Sequence, residues 1–382
     1  MIEEILKPID ESIFQTTILL PKQVIGNNIA INSISRGFPD LTKIRVAIIG
    51  VEELRNSFFT HNKFQVLEFR KEFYKLYPGN WNIGIADLGD IPDGDKVEDT
   101  YFFLRETCLY LRQINIIPII IGGSQDLTIP MYKSFEKSNQ WVNITSIDNR
   151  FDFSQDEELI SGRSYMSSII MEKPNYLYNF TNLSYQTYLI SQEELDLMDK
   201  LFFESIRLGE ILDDNKVTEP IFRETDIASF DLKCLSQSTS GESLNSSPNG
   251  LDSRTICSLS RYAGISDRIS MIGFFELPNT TIFYKLFSQI IWYFIEGVEN
   301  RFDEYPIHIS DNFKKYIVPL SDRELIFHKS EKSDRWWVEI IIENYLDNKT
   351  KTNTLLSCTY KDYIDACNDT IPDRWLNATR KL

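Results

Sequence analysis

The run IIPIIIGGSQDLTIPMY, residues 116–132, delivers three polar side chains, Ser124, Gln125 and Asp126, from the end of an apolar stretch. Six apolar residues in eight, closed by Gly122 and Gly123, read as a buried parallel strand that turns sharply at its carboxyl end. In an open α/β sheet, ligands bind in the crevice outside the carboxyl ends of the strands, so chemistry is expected at these three residues. Two further apolar runs end in charge: WVNITSI leads into Asp148, Asn149, Arg150, Phe151 and Asp152, and DIASF leads into Asp231, Leu232 and Lys233. A fourth, DRISMIGFF, leads into Glu276, Leu277 and Pro278. Oxygen donors suit a hard cation, and Asp148, Asp152 and Asp231, with Gln125, could hold a single one. An arginine cannot ligate, and a lysine must first lose its proton.

Nucleophilic catalysis has less support. Ser124 has no histidine base nearby in sequence, Cys234 sits where packing is expected, and no Gly-x-Ser-x-Gly elbow occurs. Only His61, His308 and His328 exist, none at a strand end of this set. The aspartates 87, 90, 93 and 95 of DLGDIPDGD miss the alternation of a calcium loop and lack its closing glutamate. A loop leading to a helix N-terminus, where carboxylates suit the dipole, is the expected reading.

Strand and helix patterns alternate from about residue 42 to 300 and predict a doubly wound, mostly parallel sheet in a three-layer α/β fold. TKIRVAIIGV is the first strand, a helix spans 63–77, and NIGIADLGDI is the next strand. VEDTYFFLRETCLYLRQIN reads as a helix, as do SQEELDLMDKLFFESIRLG and GLDSRTICSLSRYAG, the last stopping at Gly264. In the closing helix, Ile282, Leu286, Ile290 and Phe294 share a face spaced for burial. The expected division is 1–302, an α/β domain with a lead-in over 1–40, and 303–382, an appended segment packed on the core. Trp336 and Trp337 beside Arg335 are expected to pin that segment.

These motifs, in this order over residues 40–300, resemble the ureohydrolase family of arginase, agmatinase and formimidoylglutamase. Residues 161–190 are similar to its formimidoylglutamase-like branch. The family reads Gly-Gly-Asp-His-Ser where this chain has GGSQD, Asp-Ala-His-x-Asp where it has DNRFD, and Ser-Phe-Asp-x-Asp-x-x-Asp-Pro where it has SFDLKCLS. The resemblance implies an arginase-like fold and, in active relatives, two manganese ions sharing an acidified water that attacks a carbon–nitrogen bond. Of the six positions that hold the metals, Asp148, Asp152 and Asp231 match, whereas Gln125, Arg150 and Lys233 depart. No cofactor is therefore expected, and Ser124, Gln125, Asp126, Asp148, Asn149, Arg150, Asp152, Asp231, Lys233 and Glu276 make up a vestigial active site. Arg150 and Lys233 are expected to lie between the three aspartates and neutralise them.

A net charge of −16 disfavours nucleic acid and anionic membrane surfaces, and no basic block offsets it. The acidic start, MIEEILKPIDESIF, lacks a signal core, no apolar run reaches the length of a membrane span, and five scattered cysteines suggest reduced thiols; the cytoplasm is the expected compartment. Two functional readings follow. The first is a pseudoenzyme of ureohydrolase fold that binds a small molecule or protein, possible oligomers included. The second is an active formimidoylglutamase- or agmatinase-like hydrolase of an amidine or guanidino bond, with an altered or single metal.

Overall fold

The computed structural model describes residues 2–58, 63–136, 138, 140–153, 160–242, 246–305, 312–321, 323–342 and 352–381. Nine strands form one sheet: β1 (Ala30–Ile31), β2 (Ile44–Val51), β3 (Gly84–Ile91), β4 (Ile117–Ile121), β5 (Val142–Ile147), β6 (Leu177–Tyr185), β7 (Glu204–Arg207), β8 (Ile227–Asp231) and β9 (Met271–Phe275). Their order is β1-β3-β2-β4-β9-β8-β5-β6-β7, and every pairing is parallel. The central strands β4, β5, β8 and β9 are buried along their whole length, which is why β4, β8 and β9 read as largely apolar runs rather than alternating ones, while β5 carries buried Asn143, Thr145 and Ser146. One face packs under Val66–Phe73, Ser253–Ile265 and Thr281–Glu299, the other under Val97–Gln113 and Thr128–Lys133. This is the three-layer arginase-like α/β arrangement.

The topology places β4, β9, β8 and β5 side by side, so the four polar strand ends of the sequence become neighbours. The turn out of β4 depends on its glycines. Gly122 and Gly123 have φ of 99° and 74°, and a Cβ on Gly123 would meet the Glu53 carbonyl at 2.7 Å. Gly264, expected as a helix stop, instead lies inside Ser253–Ile265. There a Cβ would stand 2.1 Å from the Phe294 carbonyl, so its absence lets two helices cross closely.

Other expectations change in detail. The helix expected over 63–77 is Val66–Phe73. The single helix expected over 191–209 is Gln192–Lys200, capped by Ser191 and Glu194, and then the chain turns at Phe202 (φ 52°) into β7 and a helix at Leu208–Asp213. Leu286, Ile290 and Phe294 are buried, but Ile282 is 58 % exposed in the first turn of its helix. Asp87 and Asp90 do not serve a helix dipole. They lie in β3, where the buried Arg70 guanidinium donates to Asp87 at 2.9 and 3.0 Å and to Asp90 at 2.9 Å, and the Tyr74 hydroxyl donates to Asp87. Asp99 is the residue that caps the following helix, accepting from the Lys96 amide.

The C-terminal segment forms an antiparallel sheet, β10 (Phe313–Pro319), β11 (Glu324–Ser330), β12 (Trp336–Ile342) and β13 (Thr352–Cys358), followed by helices at Tyr360–Cys367 and Asp373–Lys381. Trp337 is buried beneath the Arg223 guanidinium of the large domain, whereas Trp336 is buried in the segment's own core, stacked on Tyr363. Arg223 of the large domain donates to the carbonyls of Trp336 and Cys358, and Arg335 pairs with Glu219 (3.0 Å) and Asp267 (3.5 Å). No cysteine is disulfide-bonded, and of the five only Cys367 is exposed. No described helix is long and apolar enough to cross a membrane.

Candidate functional site

Asp148 follows β5, Asp231 ends β8, and Gln125 opens a short 3-10 turn after β4. Asp152 reaches the same place because the loop after β5 bends back at a left-handed residue, its own φ being 57°. All four side chains are buried.

The amide of Gln125 stands among the three carboxylates. Its environment fixes its orientation, since carboxylates accept and hydroxyls can donate. The nitrogen lies 3.0 Å from Asp148 Oδ2, 3.0 Å from Asp152 Oδ2 and 3.3 Å from Asp231 Oδ2, while the oxygen accepts from Ser146 Oγ at 3.1 Å and Tyr165 Oη at 3.3 Å. The remaining oxygens of two aspartates are held by their own loops: Asp148 Oδ1 accepts from the Arg150 amide (3.0 Å) and Asp231 Oδ1 from the Lys233 amide (2.7 Å).

Three carboxylates face a nitrogen that carries only two protons, so they cannot all be served as full anions. Their electrostatics agree. Burial raises the Asp148 pKa; burial and the charge of Asp148 hold Asp152 well above the usual range; burial, then Asp148 and Glu276, do the same for Asp231. The cluster is therefore one that keeps a proton more readily than free aspartates would.

Arg150 and Lys233 are not where the sequence reading put them. The Arg150 guanidinium donates to the Leu189 carbonyl at 2.5 Å, and the Lys233 ammonium pairs with Glu242 at 2.5 Å. Both charges still act on the aspartates from a distance. The group between the carboxylates is the neutral amide, not the cations. Asn149 braces the loops by donating to the Lys233 carbonyl at 2.9 Å.

A second polar group adjoins the first. Asp126 accepts from Tyr101 Oη, Ser124 Oγ and, at 3.2 Å, Asn56 Nδ2. Burial pushes its carboxyl up to about 7, against the pull of the Tyr101 and Asn56 hydrogen bonds. Glu276, with φ of 51° after β9, accepts from Ser57 Oγ at 3.1 Å. Ser146, Tyr165, Tyr101, Asn56 and Ser57 were not singled out from the sequence. Ser146 is one of three polar residues in β5, with Asn143 and Thr145, so neither it nor Tyr165 stands out in the sequence.

The residues do not fit a pair of manganese ions. Two ions sharing a water need bridging carboxylates and further oxygen or nitrogen donors to each ion, whereas this centre offers three aspartates around an amide. Of the histidines, His61 and His308 lie outside the described residues, and His328 lies in β11, paired with Glu339 at 2.6 Å. Among the described residues no group of three or more histidine, cysteine or acidic side chains is disposed to hold a metal ion.

No protein-family model matches the sequence, and no curated protein does. Solved structures do match. Trypanosoma cruzi formiminoglutamase with manganese aligns with a TM-score of 0.62 at 16% identity, covering 68% of this chain and 94% of that one. Formimidoylglutamase from Bacillus subtilis aligns at 0.63 and 15%, covering 74% and 94%. Agmatine ureohydrolase from Thermoplasma volcanium aligns at 0.58 and 16%, covering 78% and 99%. Strand order, the polar strand ends and these alignments agree that the chain has the arginase-like fold of the ureohydrolases.

Proposed function

We propose that this chain is a ureohydrolase-fold protein that has given up the dimanganese centre and works by binding, as a pseudoenzyme, rather than by hydrolysis. One observation carries the reading: the Gln125 amide, oriented by its neighbours so that its nitrogen faces the acids, stands 3.0–3.3 Å from Asp148, Asp152 and Asp231, where incoming cations would have to sit. A side chain that already meets the acids with its own protons competes with metal at every concentration, and the amide cannot acidify water. Arg150 and Lys233 add positive potential around the carboxylates while their charged ends bond to Leu189 and Glu242.

The competing reading is a hydrolase of an amidine or guanidino bond with a single metal, and its support is that three buried acids still converge. The two are separated by elemental analysis of protein produced with excess manganese, together with assays for urea from arginine or agmatine and formamide from formiminoglutamate. The proposal expects less than a tenth of an equivalent of metal and no manganese-dependent product. Stoichiometric manganese, with turnover that a chelator removes, would overturn it.

A further inference from the structure

A second site, a cavity of about 310 Å³, lies at the amino ends of β5, β6 and β7, opposite the carboxyl ends that carry the aspartate cluster. Its floor is made by the first residues of β5, β6 and β7, including Asn143, Tyr178 and Glu204, and its roof by β13 and the helix Asp373–Lys381. The large domain alone would leave this edge open, so the appended segment creates the cavity.

The lining has three features that do not serve the fold alone. Trp141 and Tyr178 form an aromatic wall, with ring centroids 6.4 Å apart, and both are substantially exposed, Trp141 by 64 %. Charges are matched except for one. Arg374 holds Glu204 at 3.3 Å, and Arg268 is set between Asp226 (2.9 Å) and Glu224 (3.6 Å). Lys381 has no acid in ion-pair contact among the described residues. Its ammonium donates to Asn179 Oδ1 at 2.8 Å and lies 4.9 Å from the Tyr178 ring centroid. Burial lowers it to about 8, with Glu204 working the other way. Third, Ile340, Leu355, Leu356 and Ala378 give the rest of the lining an apolar body.

We propose that this cavity is a binding site for a small aromatic carboxylate. The ring lies against Trp141 and Tyr178, and the carboxylate meets the Lys381 ammonium. An ammonium without an acid is the natural partner of a carboxylate, and aromatic walls with a few placed polar groups are what small-molecule pockets of this volume offer.

The test is calorimetric titration of the full chain with 4-hydroxyphenylacetate, with tyramine, the same body bearing a cation, as control. A dissociation constant of about 1 mM or tighter is expected for the acid, and none measurable for the amine. Lys381→Gln and Trp141→Ala each should weaken the acid at least tenfold while the far-ultraviolet circular dichroism stays unchanged. Equal binding of acid and amine, no binding of either, or retention of affinity in both variants overturns the proposal. In the last case Lys381 is only an anchor for the final helix.

Discussion

Replacing Gln125 by methionine keeps the length and approximate volume of the side chain and removes its two N–H donors. Both donors meet buried carboxylates at 3.0–3.3 Å. A hydrogen bond to a charged group contributes about 1.5–3 kcal/mol, so two removed together place the loss at about 3–6 kcal/mol if the acids stayed ionised. They can avoid part of that by taking up protons, which their raised pKa values make easier. The sign follows. A carboxyl whose folded pKa lies above its unfolded value stabilises the fold fully below the unfolded pKa and loses that contribution as pH rises through the folded one. Removing the donors raises the folded values further, so the defect of Gln125→Met grows with pH. We expect a loss of about 3–4 kcal/mol near pH 8 and about 1 kcal/mol near pH 5. For 382 residues, an unfolding entropy of about 0.8 kcal/mol/K turns the larger figure into a fall in Tm of about 4–5 °C. Urea unfolding followed by circular dichroism at the two pH values reads both numbers. A defect that is absent at both, or larger in acid, would show that Gln125 does not neutralise the aspartates and would remove the basis of the proposed function.

Asp126→Asn should be more stable than the parent at about pH 8 by roughly 2–4 kcal/mol, because the parent must ionise a buried group whose pKa is about 7; thermal melts should show the advantage fading as pH falls from there toward the unfolded value near 3.8. A double-mutant cycle of Lys233→Met and Glu242→Gln, read by urea unfolding, should give a coupling of about 1–3 kcal/mol, and the cycle of Lys233→Met with Asp231→Asn a much smaller one. Arg335→Met removes the partner of Glu219 and Asp267 and should cost about 3–5 kcal/mol, with faster tryptic release of the C-terminal sheet under conditions where the parent is intact.

The fold was legible because the central strands are buried on both faces, which keeps β4, β8 and β9 largely apolar, and because the strands lead into polar residues. The same logic located Gln125, Asp148, Asp152 and Asp231. It could not say which side chain fills the centre. Arg150 and Lys233 sit in the right loops, but long side chains choose their partners by three-dimensional proximity, and theirs are Leu189 and Glu242, neither of which the local motif announces. Gln125 looked like a lost ligand when read as a missing imidazole. Read as two N–H donors on a side chain of that reach, it was already a candidate for satisfying acids. The strand β7 was hidden for a different reason: its four residues follow a good helix pattern without a glycine or proline to mark the break, which falls instead at Phe202 in a left-handed conformation. In the C-terminal segment the helix at Asp373–Lys381 mattered most for the second cavity, and a short polar run of that kind gives no hint of what it will cover.

The Gln125 amide also changes what the fold depends on. Acids gathered around a dissociable ion are stabilised by an amount that follows its free concentration, and each tenfold fall in supply removes about 1.4 kcal/mol once the site is near saturation. A donor covalently part of the chain is subject to no such mass action: its local concentration is set by the turn after β4, and neither dilution nor a chelator can lower it. On the proposed reading, the hydrogen bonds to the carboxylate centre thus persist whether the surroundings are rich or poor in divalent ions.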